Sequence, residues 1–195
     1  MYNEAERVDY PNPTSKIVIG DSHSICMYRP GWTVNSIPFK TLNGAINDGF
    51  DKFIPFDYEE IECYFGNIDI RHHVIRLGQK IEDLADRYIE EANKYNAKIY
   101  ELLPIEDVSR RIPQSGYYKG QPFYGSWSER NDARNKFNDY IEKEYGIKRW
   151  TGHLFNKEGK LDFKYMEKPQ SIHLSREFYP YWNGIEAAGL EEFFA

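Results

Sequence analysis

The chain has 195 residues, 41 % of them hydrophobic and 16 % aromatic, with 25 basic side chains against 31 acidic ones for a net charge of -6. That much apolar and aromatic material supports a buried core and excludes a disordered chain, and the acidic balance argues against a general binder of phosphate backbones. The two cysteines, Cys26 and Cys63, exclude a disulfide framework, and no run approaches the roughly 20 apolar residues of a membrane-spanning helix.

Residues 1–15 are polar, carry Pro11 and Pro13, and read as an irregular lead-in. They lack the basic head and apolar stretch of a signal peptide, so a cytoplasmic location is the expectation. Lys16-Ile17-Val18-Ile19 is a short β-branched strand that ends at Gly20 and delivers Asp21-Ser22-His23-Ser24 just beyond it. The C-terminal end of a buried strand is where ligands meet an α/β sheet. Residues 21–29 read as the start of a helix, broken by Pro30-Gly31. A short strand is expected between Trp32 and Phe39, and the plain reading of the following Thr41-Leu42-Asn43-Gly44-Ala45 is a turn. Ile61 to Gly66 is the next strand. It stops at Asn67-Ile68-Asp69-Ile70-Arg71-His72-His73, an unusual concentration of an amide, a carboxylate, a guanidinium and two imidazoles.

The spacing of Leu77, Ile81, Leu84, Tyr88, Ala92 and Tyr95 predicts a helix over 77–96. Lys98 to Pro104 reads as another strand, and strand, helix, strand in this order makes a βαβ unit with parallel strands. Residues 105–125 form a long loop rich in arginine and tyrosine, and loops of that length are usually functional or mobile: either it holds a polar substrate, or it is a flexible excursion whose rings pack on the body. Ser126 to Glu129 fits a capping box that opens a helix running to about Tyr145 and stopping at Gly146. A last strand is expected from Ile147 to Phe155. The segment Pro169 to Ser175 holds His173-Leu174, and residues 176–195 read as a C-terminal helix. All of this is read as one domain spanning 1–195.

Gly20-Asp21-Ser22, then Gly66 to Asp69, then His173-Leu174 follow the order of the motif blocks of the GDSL/SGNH hydrolases, which this sequence resembles from residue 16 to about 180. The resemblance implies a flavodoxin-like three-layer α/β/α sandwich with a parallel sheet of about five strands. It implies Ser22 as nucleophile, His173 as base and a second-block glycine N–H facing the oxyanion, either Gly44 or Gly49. The third block, Gly-x-Asn-Asp, is matched imperfectly. Ile68 falls at the asparagine position, Asp69 fits, and Asn67 is one residue early, so the side-chain oxyanion donor falls to Asn67 or Arg71. In the fifth block, Asp-x-x-His-Leu, Gln170 stands where the family has its aspartate.

A serine hydroxyl needs a base to take its proton, and histidine suits that task. Gln170 can accept a hydrogen bond from the imidazole Nδ1–H but supplies no charge to the imidazolium. Three outcomes follow. Glu167 or Asp162 supplies the carboxylate, a Ser22–His173 dyad suffices, or the site binds without turning over. Asp21 and His23 either line the site or hold its turn. His72 and His73, adjacent in an extended segment, would point to opposite faces, and no metal-ligand spacing occurs, so no metal and no cofactor is expected. The arginines and tyrosines of the long loop favour a polar ester or acetyl group over a lipid. The sequence thus predicts a serine esterase acting on a small-molecule or glycan ester. The alternatives are acyl transfer by the same apparatus and a non-catalytic module for a polar ligand. Neither a nucleic acid nor a membrane is an expected partner.

Overall fold

A computed structural model describes residues 6–8, 14–54, 57–106, 118–122, 124–167 and 172–191. Its five-stranded sheet has the order β1-β3-β2-β4-β5, formed by β1 (Glu6–Val8), β2 (Lys16–Asp21), β3 (Thr33–Ile37), β4 (Glu60–Tyr64) and β5 (Lys98–Ile99). Strands β3, β2, β4 and β5 are parallel and β1 is antiparallel to β3. Ile17, Val18 and Ile19 of central β2 are fully buried, as a β-branched run must be when both faces of a parallel strand are covered. The register pairs Asp21 with Ile37 on one side and Gly20 with Tyr64 on the other. The C-terminal ends of β2, β3 and β4 therefore meet at one edge of the sheet.

Helices α1 (Leu42–Asp48), α2 (Val74–Leu77), α3 (Ile81–Lys94), α4 (Trp127–Glu144) and α5 (Trp182–Ala187) complete the described α/β fold. Helix α3 turns Leu84, Ala85, Tyr88 and Ala92 inward, and burying side chains the size of Leu84 contributes about 1.5–3 kcal/mol each. Tyr88 stacks on Phe137 of α4, with ring centroids 6.3 Å apart, and its hydroxyl accepts from the N–H of Phe65 just past β4. Helix α4 begins with the expected capping box between Ser126 and Glu129. Among the described residues no helix is long and apolar enough to cross a membrane.

Several expectations are corrected. The lead-in contributes an edge strand, β1, so the parallel part of the sheet has four strands rather than about five. The strand expected over 147–155 is reduced to two isolated bridges, Lys148 with Tyr100 and Phe155 with Leu161. The carboxylate of Glu101 captures the N–H groups of Trp150 and Thr151 at 2.6 and 2.5 Å, which takes the backbone out of any ladder. The helix read over 77–96 is split by Gly78, which ends α2 in a left-handed conformation at φ 59° and leaves Leu77 exposed. Residues 22–27 form a 3₁₀ turn rather than an α-helix. The C-terminal helix is likewise a 3₁₀ turn, Arg176–Phe178, followed by the short α5. Most of the long 105–125 loop lies outside the described residues.

Candidate active site

The serine side of the site is fixed by glycine and carboxylate chemistry. A Cβ on Gly20 would lie 2.5 Å from both Ser24 Cβ and the Tyr64 carbonyl oxygen. Only glycine lets β2 pass so close to β4 and to the turn that follows. That turn, Ser22–Met27, is capped by Asp21. Asp21 is completely buried. Its Oδ1 accepts from His23 N at 3.0 Å and lies 3.0 Å from His23 Nδ1, while Oδ2 accepts from Asn67 N at 3.2 Å. One carboxylate thus joins the turn after β2 to the loop after β4. Because an ionised carboxylate only accepts, the shared proton belongs on His23 Nδ1. His23 Nε2 is buried with no hydrogen-bond partner among the described residues.

The imidazole side comes from the far end of the chain. His173 Nε2 lies 3.0 Å from Ser22 Oγ across 151 residues of sequence. Met166 and Leu174 form an antiparallel bridge, flanked by hydrogen bonds from Glu167 N to His173 O and from Ser175 N to Tyr165 O at 3.1 and 2.8 Å. That register sets Glu167 directly across from His173, and directly opposed residues share a face. Glu167 Oε1 accordingly lies 3.8 Å from His173 Nδ1, with side-chain exposures of 41 % and 37 %. This is ion-pair separation, longer than a hydrogen bond. The rings of His173 and His23 meet edge to face, 5.0 Å apart, above a small cleft that Cys26, Leu103 and Tyr179 also line. Gln170 lies outside the described residues. Asp162 caps its own turn instead, accepting from Lys164 N at 3.1 Å and pairing with Lys164 Nζ.

The remaining expected residues hold the frame. The Gly44 N–H sits inside α1 and donates to Thr41 Oγ1 at 2.9 Å, as part of the helix cap. The Gly49 N–H closes the same helix on the carbonyls of Ala45 and Ile46. Asp69, fully buried, accepts from the N–H groups of Leu42 and Asn43 and from Asn43 Nδ2, so it anchors the start of α1. Burial pushes its carboxyl pKa up against the pull of those bonds. Arg71 is buried and spends its donors on Glu106, Asn67 and the Pro104 carbonyl. Asn67 Oδ1 accepts from Arg71 and from Leu103 N, while Nδ2 is buried with no hydrogen-bond partner among the described residues. Asp69–His73 is wound as a π-helical turn, a feature frequent near functional sites that no periodicity announces. Burial lowers the His73 pKa, and its ring lies 5.4 Å from that of Tyr118. No group of three metal-ligating side chains occurs among the described residues.

No protein-family model and no curated protein matches the sequence. Solved structures do match. A GDSL-like lipase from Bacteroides thetaiotaomicron superposes with a TM-score of 0.57 at 13 % identity, over 95 % of this chain and 92 % of that one. The chain has the GDSL-hydrolase fold. An acetyl xylan esterase shares that fold with a TM-score of 0.51 at 12 % identity, over 89 % of this chain and 98 % of the other. The OSK domain of Drosophila Oskar does so as well, with a TM-score of 0.55 at 17 % identity, over 95 % and 90 % of the two chains. In this GDSL-type frame the hydroxyl comes from the end of β2, and the imidazole and the carboxylate come from either side of the Met166–Leu174 bridge.

Proposed function

We propose that this protein is a serine esterase that works through an acyl-enzyme on Ser22. The observation that carries the reading is the 3.0 Å approach of His173 Nε2 to Ser22 Oγ, with a carboxylate on the far side of the ring. In the first step Ser22 Oγ attacks the ester carbonyl carbon while His173 Nε2 takes its proton. The imidazolium then gives that proton to the departing alcohol. Water attacks the acyl-enzyme with His173 again as base, Ser22 recovers its proton, and the acid leaves. Glu167 favours the imidazolium that forms in both halves. Between two half-exposed groups that attraction is worth on the order of 1 kcal/mol. Asn67 Nδ2, buried with no hydrogen-bond partner among the described residues, is the candidate donor to the oxyanion. An acyl acceptor other than water would make the same machinery a transferase.

For substrate class we infer a short acyl group, such as acetyl, on a polar or carbohydrate alcohol. The likeness in fold to an acetyl xylan esterase supports this. So does the Arg76 guanidinium held over the rings of Tyr118 and Tyr124 at 4.3 and 5.3 Å, a polar and aromatic surface rather than an aliphatic one. The test is hydrolysis of p-nitrophenyl acetate, with covalent labelling by a fluorophosphonate, in wild type and in Ser22→Ala. Activity and labelling are expected only in the wild type. Equal rates and no adduct in either would overturn the esterase.

One observation favours a second reading. The Gly44 amide expected at the oxyanion is committed to Thr41, and losing one such donor commonly costs about 3 kcal/mol of barrier. A site built this way could bind a polar ester without turning it over, and equal background rates would be its signature.

A further inference from the structure

We propose that Phe39 is a stacking platform that makes the Ser22 site selective for esters carried on a ring with a flat C–H face, such as a pyranose. The inference rests on the reading of Ser22 as nucleophile and names a specificity residue for it. Two costs coincide at Phe39. Its side chain is 59 % exposed, and its backbone is left-handed at φ 63°. Lys40 N donates to Ile37 O at 3.3 Å, closing a turn with Pro38 second and Phe39 third. A positive φ at the third position is the mark of a type II turn, where glycine or asparagine is the default residue. A bulky side chain in that conformation is a true outlier, and outliers that persist cluster at ligand sites. Among the described residues nothing rewards this phenyl group for being there, because it is exposed rather than packed into the core.

Its position supplies the reason. Ile37, two residues earlier, pairs with Asp21, the neighbour of Ser22. Adjacent strands lie about 4.8 Å apart, so the turn that carries Phe39 leaves the sheet at the edge where β2 delivers the nucleophile, one strand over. The turn is held at both ends. Ser36 Oγ donates to the Asp21 carbonyl at 3.2 Å, and Asp69 anchors the start of α1 just beyond Thr41. A rigid, exposed aromatic ring beside an acyl-transfer centre offers an apolar face with no polar group of its own. A sugar ring laid on it hides its C–H face and keeps its hydroxyls in water, which favours association through the apolar area removed from solvent.

The experiment compares a ring-borne and an acyclic ester: O-acetylated methyl xyloside and ethyl acetate, followed by acid release. Phe39→Ala should raise KM for the xyloside roughly tenfold at unchanged kcat, a typical size for the loss of one stacking ring, and leave ethyl acetate unaffected. Phe39→Trp should restore the xyloside KM. Phe39→Gly, which suits the left-handed backbone, should lose the same selectivity while resisting urea at least as well as wild type. Equal effects of Phe39→Ala on the two esters, or none on either, would overturn the platform. If wild type hydrolyses neither ester, the nucleophile reading has failed. The platform is then judged alone, by saturation-transfer NMR of the xyloside on wild type and Phe39→Ala. Binding lost in Phe39→Ala upholds it, and no binding to wild type, or equal binding, ends it.

Discussion

Asp21, beneath the serine, is fully buried and engaged by His23 N, His23 Nδ1 and Asn67 N. Glu167, beyond the histidine, is 41 % exposed and stands 3.8 Å from the ring it faces. The first carboxylate is over-determined by packing, and the second is placed by the register of one small antiparallel pair. The difference teaches where sequence is constrained. Next to Ser22 the backbone admits only Gly20, and the cap and the loop tie need an aspartate at 21. Next to His173 any position that faces the ring across the pair can supply the charge. The carboxylate can therefore sit six positions before the histidine instead of three.

The largest effect that would break this contrast is at the base. His173→Ala should lower kcat by about 10⁴-fold or more, read with a short-chain ester, because hydroxyl activation is then lost outright. A stable, fully active variant would place the proton acceptor elsewhere. Asp21→Ala should cost about 3–5 kcal/mol of stability in urea denaturation, the usual result of stripping the partner from buried donors. If it costs no more than a surface substitution, the over-determination of the serine side is wrong. Glu167→Gln should lower kcat only about 5- to 10-fold, since a half-exposed ion pair stabilises the imidazolium far less than a buried carboxylate does. Its stability should be unchanged. A loss as large as that of His173→Ala would make the two arms equal after all. Gly20→Ala, forced against Ser24 and the Tyr64 carbonyl, should cost about 1–3 kcal/mol, read by its urea midpoint.

The smallest expected effect is a pH dependence that belongs to neither arm. Glu62 on β4 takes hydrogen bonds from Arg29, Lys148 and Tyr100 at 2.6, 2.6 and 2.5 Å. Burial pushes its pKa up, but Arg29 together with the Lys148 and Tyr100 bonds outweighs it and holds the carboxyl below its ordinary 4.5. A depressed folded-state pKa contributes stability above the unfolded value and loses it as pH falls through the folded one. Wild type should therefore weaken progressively below about pH 4.5, a value set by the unfolded carboxyl. Glu62→Gln should be less stable at neutral pH and show a shallower decline. Parallel profiles for the two proteins would remove Glu62 from the account.

The sequence made β2, β4, α3, α4 and the Ser22–His173 pairing legible because each carries a local mark: a β-branched run, an amphipathic stripe, a capping box, a motif block. The parts it hid are those decided by distant partners. Glu6, Arg7 and Val8 are too few to show an alternation, yet β3 offers them an open edge. Ile147 to Phe155 has strand-like composition, yet the Glu101 carboxylate claims its amides. Gly44 carries the motif residue, but Thr41 sits three positions before it and caps the helix through its N–H. Glu167 could be named only as one of two carboxylates, since nothing local says that it faces His173 rather than solvent.

The bridge between Met166 and Leu174 has a consequence for anyone editing this chain. Side chains on such a pair alternate from one side to the other, so Glu167 meets His173 only while Met166 stays opposite Leu174. A one-residue slip of that pairing would turn the acid to the opposite side without altering a single functional group. Edits at this end should be chosen to keep the two residues in step.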